Sequence, residues 1–236
     1  MRLYTGAGLP NPDVVHLYQA ETGTEACAER VQLDVRRREN RTADMLAMNP
    51  LGEIPWLITD GGMCISESVA ICRFLDETVA ASMVGGAIGT PLLGTTAEER
   101  AETQMWLVRL ENKVLGPMER ARHAAHAVEF YRNTRPGQVH ASLRAPSLKQ
   151  MWAGFAFLDA QLAADGREYL CKISGSGTGG SRFSLADIRF YCLYRFFSSA
   201  DRELQADGRL THLHSYVDRV GARPAAKRVF SPRPRL

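Results

Sequence analysis

A chain of 236 residues with 45% apolar and 23% charged positions is long enough to bury one large core or two modest ones. Its formal charge of +3 is too small for a nucleic-acid-binding face, and the short basic clusters, Arg36 to Arg38 and the tail from Lys227 to Arg235, read as solvated edges. No apolar run approaches the roughly 20 residues that span a bilayer, and the first residues lack the unbroken apolar stretch of a signal peptide, so a cytoplasmic protein with no membrane partner is expected.

Leu3-Tyr4 begins as a short strand, and Gly6, Gly8 and Pro10 form a loop able to bring main chain close to a ligand. Asn11 is placed as an N-cap with Pro12 at the first helical position, and Val14, Val15, Leu17 and Tyr18 supply the apolar side of the helix. Alternation from Val31 to Val35 predicts a second strand. After the charged loop Arg36 to Arg41, a brief helix with Met45, Leu46 and Met48 stops at the breakers Asn49, Pro50 and Gly52. Pro55 precedes the apolar run Trp56 to Ile58. An X-Pro bond entering a strand can be cis at a cost of only about 0.5 to 1 kcal/mol, and a cis bond would turn the main chain of Ile54 toward a ligand.

Asp60-Gly61-Gly62 predicts a hairpin turn, after which Ser66 caps a helix carrying Glu67 and Ser68 in its first turn. Free N–H groups at that start attract a carboxylate; Ser68 adds a hydroxyl donor, and Glu67 can hold an ammonium beside it. The same residues are also consistent with an ordinary capped helix. The stretch from Val79 to Gly94 is rich in small residues and reads as a linker. Helices follow: Thr96 and Glu99 form one capping box, Ser147 and Gln150 a second, and Ser184 and Asp187 a third that opens an apolar helix from Ile188 to Phe197. Ser174 to Ser181 is almost all Gly, Ser and Thr and is expected to be an insertion. A last helix, His212 to Val220, closes at Gly221. The five cysteines include no Cys-x-x-Cys pair, which supports neither a zinc site nor a dithiol motif.

Ile54-Pro55 followed by a hairpin and Glu67-Ser68 resembles the motif of the cytosolic glutathione transferases, and the Ser184-x-x-Asp187 box and Arg223-Pro224 are similar to that family's C-terminal pattern. The order strand, helix, strand, helix, strand, strand, helix is that of a thioredoxin-like unit. The resemblance implies an α/β thioredoxin-like N-terminal domain at 1–80, a linker at 81–95 and an all-α helical-bundle domain at 96–236. It implies glutathione as co-substrate, with Ile54 and Pro55 meeting the cysteinyl part, Glu67 and Ser68 the γ-glutamyl end, and Asn40 and Arg41 the glycyl carboxylate. It also implies a homodimer acting on a small electrophilic or disulfide substrate.

Family members place a Tyr, Ser or Cys before the first helix to stabilise the glutathione thiolate. Leu9 occupies that place here and cannot donate. Asn11 is one candidate donor, in a loop similar to the Thr-Pro-Asn loop of the disulfide-bond-reductase-like branch. Thr5 or Tyr4 is another, and a main-chain N–H a third. Arg109, His123, Phe130, Tyr131 and Arg132 are candidates for lining an electrophile pocket. Glutathione conjugation or thiol exchange is the expected activity. A glutathione-dependent isomerase or etherase, and a non-catalytic assembly module built on the same fold, stand as alternatives.

Overall fold

A computed structural model describes residues 1–82, 91–126, 140–173 and 180–231. Phe130, Tyr131 and Arg132, most of the linker and most of the Gly-Ser-Thr segment lie outside the described residues. Contacts divide the chain into two compact units, one formed by Met1–Leu93 with the segment from Arg223, the other by Gly94–Ala222.

The first unit runs β1 (Arg2–Thr5), α1 (Pro10–Thr22), β2 (Glu29–Gln32), α2 (Ala43–Met48), β3 (Trp56–Ile58), β4 (Cys64–Ser66) and α3 (Ser68–Ser82). Its sheet has the order β2-β1-β3-β4, with β1 and β2 parallel and the other pairs antiparallel, which is the expected thioredoxin-like arrangement. Leu3 and Leu57, opposite each other across β1 and β3, are fully buried, and Val14, Leu17, Tyr18, Ile71 and Leu75 from α1 and α3 complete the core. Tyr18 donates a 2.5 Å hydrogen bond to Asp76 and ties these two helices together.

Two helix starts differ from the sequence expectation. Helix α1 begins at Pro10, with Leu9 in extended conformation as its N-cap and the Asp13 N–H bonded to the Leu9 carbonyl at 3.0 Å. Asn11 is therefore the second helical residue and not a cap. The physical reason is that Pro10, which has no N–H to leave unpaired, fits the first helical position. Ser66 likewise does not cap α3, because it is held in β4 opposite Trp56. Glu67 caps instead, at φ +69°, and its carbonyl accepts the Ile71 N–H at 3.0 Å.

The segment from Arg223 carries a further helix, Pro224–Phe230, which packs against α1. Arg223 grips Glu21 through Nε and Nη2 at 2.7 and 2.8 Å, and Arg228 donates to the Ala20 carbonyl at 2.9 Å. These bonds place the segment with the first unit, although the expected boundaries give it to the second domain.

The second unit is helical: α4 (Ala97–Leu110), a π-helical stretch Glu111–Leu115, α5 (Gly116–His126), α6 (Arg144–Ala164), α7 (Leu185–Ala200) and α8 (Thr211–Gly221). A small hairpin of β5 (Cys171–Lys172) and β6 (Ser181–Arg182) qualifies the expected all-α description. Gly154 of α6 is required by contact, since a Cβ there would stand 2.2 Å from the Lys113 carbonyl oxygen. The Ser184-Asp187 box forms: Asp187, fully buried, accepts from the Ser184 N–H and hydroxyl, the Leu170 N–H and the Tyr216 hydroxyl. The second expected box does not, because α6 starts at Arg144 and leaves Ser147 buried inside it, while Gln150 accepts from Arg120. Among the described residues, no helix is long and apolar enough to cross a membrane.

Candidate functional site

The register of the β3–β4 hairpin decides which residues meet. Thr59 and Met63 close the turn, with the Gly62 N–H on the Thr59 carbonyl at 3.0 Å, and the ladder sets Ser66 opposite Trp56. Pro55, just before β3, and Glu67, just after β4, are thereby brought side by side. The Ile54–Pro55 bond is cis, as expected from the sequence. The Ile54 side chain turns toward the β1–α1 loop, where its Cδ1 lies 2.6 Å from the place a Cβ on Gly6 would occupy, so a larger residue at position 6 would push the Ile54 side chain aside.

A shallow cleft, open to solvent, forms around this junction within the first unit. Ile54, Pro55, Glu67 and Ser68 line it, and Asn11 contributes from the first turn of α1. These five sequence candidates therefore share one site. Asn49, Leu51, Glu53 and Ser66 line it as well. By sequence, Asn49 reads only as a helix breaker. Its side-chain amide donates to the Glu53 carbonyl at 2.8 Å, which shapes the loop leading into Ile54.

The electrostatics of the cleft come from one helix end and two acids. The first bond inside α3 is Ile71 N–H to Glu67, so the N–H groups ahead of it have no acceptor within the helix and mark a positive dipole end. Ser68 stands at that end, 4% exposed yet on the cleft wall, while the Glu67 side chain is exposed. A carboxylate can be received at the helix end and an ammonium at Glu67, a pairing suited to the α-amino-acid end of a peptide.

Other candidates lie elsewhere. Thr5 is fully buried and shares a 2.9 Å hydrogen bond with His16 Nε2, whose other ring nitrogen is 3.9 Å from Asp13; it is not on the cleft wall. Tyr4 is in the core, stacked on Trp56 with ring centres 4.7 Å apart. Asn40 is 8% exposed and donates through Nδ2 to the Gly52 carbonyl at 2.6 Å; neither it nor Arg41 lines the cleft. In the second unit, Arg109 is exposed with its guanidinium 5.4 Å from the Trp106 ring centre, and His123 is buried with Nε2 3.8 Å from Glu119. The five cysteines form no disulfides.

Comparison with known proteins agrees with this architecture. Residues 1–77 match the model of the glutathione S-transferase N-terminal domain, and residues 119–219 that of the C-terminal domain. The chain is 27% identical over 239 residues to glutathione S-transferase 2 of Saccharomyces cerevisiae, covering 99% of this chain and 91% of that one. It is 39% identical to glutathione S-transferase F10 of Arabidopsis thaliana over 79 residues, which is 34% of each chain. Among solved structures, a glutathione S-transferase domain-containing protein from Marinobacter aquaeolei VT8 superposes with a TM-score of 0.76 at 30% identity, covering 96% of this chain and 100% of that one. The chain belongs to the glutathione transferase family, with a thioredoxin-like N-terminal domain and a helical C-terminal domain.

Proposed function

We propose that the protein is a glutathione transferase, binding glutathione in the cleft at the cis-proline junction and using it as co-substrate for conjugation to small electrophiles or exchange with glutathione disulfides. The observation that carries this reading is the convergence of Ile54, Pro55, Glu67, Ser68 and Asn11 on a single cleft. The γ-glutamyl carboxylate takes the N-terminal end of α3 and Ser68, its ammonium takes Glu67, and the cysteinyl part pairs with the Ile54 main chain. This leaves the sulfur beside the start of α1. There the Asn11 amide and the helix end favour the thiolate over the thiol, the form that attacks an electrophile. A homodimer is part of the proposal: Leu51 and Met63, at 59% and 67% exposure, are apolar side chains of this unit suited to cover by a second copy. A cytoplasmic setting fits five cysteines of which none is in a disulfide.

Leu9, which cannot donate to sulfur, favours a second reading, a module that binds glutathione without turning it over. An isomerase or etherase would use the same cleft with a different second substrate. Calorimetric titration with glutathione, followed by assays with chlorodinitrobenzene and with a mixed disulfide of glutathione, separates these readings. Binding with turnover of either substrate is the expected result. Binding without turnover supports the module, and absence of binding overturns the assignment of the cleft.

A further inference from the structure

We infer that Asn40 is a positioning residue of the glutathione site, which holds the Gly52 carbonyl and thereby sets where the Ile54 main chain stands, without touching the ligand. The inference rests on the assignment of the cleft made above, and it replaces the role in carboxylate binding that the family resemblance implies for Asn40.

Three hydrogen bonds and the close packing at Gly52 support it. Asn40 Nδ2 donates to the Gly52 carbonyl at 2.6 Å, and the Gly52 N–H donates to the Asn49 carbonyl at 2.8 Å. Asn49 Nδ2 donates to the next carbonyl, that of Glu53, also at 2.8 Å. Two asparagine amides thus clip consecutive carbonyls, and Ile54 is the first residue beyond the clips. Gly52 itself sits at φ +57°, where a Cβ would come within 2.9 Å of Leu46 Cδ2 and 3.1 Å of the Asn40 carbonyl oxygen. Gly52 therefore passes close to the Asn40 backbone, near enough that a side chain there would be crowded.

Burial points the same way. Asn40 is 8% exposed and absent from the cleft wall, and its Oδ1 is buried with no hydrogen-bond partner. A buried acceptor left unpaired is unfavourable. An apolar side chain would avoid that penalty but would leave the Gly52 carbonyl without its donor. What distinguishes asparagine at this position is the grip of Nδ2 on the loop, and the loop delivers Ile54.

The test uses two ligands that differ only at the glycyl end, glutathione and γ-glutamylcysteine, titrated calorimetrically into the full-length wild-type protein, Asn40→Asp and Asn40→Ala. Asn40→Asp keeps the shape and removes the donor; Asn40→Ala carries the test if the aspartate variant does not fold, as judged by circular dichroism. The expected result is a loss of affinity of about fivefold or more, the scale of one hydrogen bond, equal for both ligands. In turnover, the same variants are expected to raise KM for glutathione while kcat is kept. If the variants weaken glutathione and spare the dipeptide, Asn40 contacts the glycyl carboxylate and the inference is wrong. Unchanged affinity for both ligands refutes it equally, leaving Asn40 only a structural role. Failure of the wild type to bind either ligand overturns the assignment of the cleft, and this outcome is recognised without any variant.

Discussion

Replacing Glu67 by glycine separates stability from ligand binding at one residue. Glu67 holds φ +69°, a conformation that costs a residue with a Cβ about 1 to 2 kcal/mol and costs glycine almost nothing. Glycine also enlarges the freedom of the unfolded chain, which takes back about 0.4 to 1 kcal/mol. The net change is a gain of up to about 1.5 kcal/mol, or a melting temperature raised by up to about 5 °C for a chain of this length. Binding moves in the opposite direction. The carboxylate proposed to hold the ligand ammonium disappears, and a charge-assisted hydrogen bond at an exposed side chain is worth about 1.5 kcal/mol, so glutathione affinity is expected to fall about tenfold. Differential scanning fluorimetry and calorimetric titration on Glu67→Gly and wild type measure both quantities. A variant that melts lower, or that binds glutathione as well as wild type, refutes the reasoning.

Asn11→Ala is expected to raise the pKa of the bound glutathione thiol and to lower kcat/KM at neutral pH about tenfold, the scale of one hydrogen bond to a charged sulfur; thiolate absorbance of the complex across pH checks it. Thr5→Val removes the buried partner of His16 and is expected to lower stability by about 1 to 3 kcal/mol in urea unfolding, while KM for glutathione stays unchanged. Asp165 is held well below the usual carboxylate range, chiefly by its hydrogen bonds to Arg167, with Lys172 adding to the effect. Its folded pKa lies below the unfolded one, so the pairing stabilises the protein above about pH 4 and is lost as pH falls toward the folded value. Asp165→Asn is therefore expected to melt below wild type at neutral pH, with the gap closing under acid, as read by melting curves over pH.

The parts of the site legible in the sequence were those fixed by short-range rules. A proline before a strand, an Asp-Gly-Gly turn and a Glu-Ser pair at a helix start each have a local reading, and the hairpin register then joins them. What could not be read depended on partners far along the chain. Ser66 has the chemistry of a cap, but pairing with Trp56 keeps it in the sheet. Thr5 ends a strand near the first helix, yet its hydroxyl faces His16, a packing choice invisible to local pattern. By sequence, Asn40 reads as a loop polar residue open to a ligand, and only the return of the chain at Gly52 turns it inward. The segment after Gly221 could not be assigned to the first unit from sequence either, because its partner Glu21 lies 202 positions upstream.

That last pairing makes the first unit discontinuous in sequence. During synthesis, residues 1–93 leave the ribosome long before Pro224–Phe230 exists, so the emerging sheet and helices wait with one flank of α1 uncovered. A fragment cut at the usual domain border would carry the cleft but lack this covering helix, and would expose the Glu21 carboxylate that Arg223 otherwise neutralises. Anyone expressing the first unit alone should therefore graft the C-terminal helix back on.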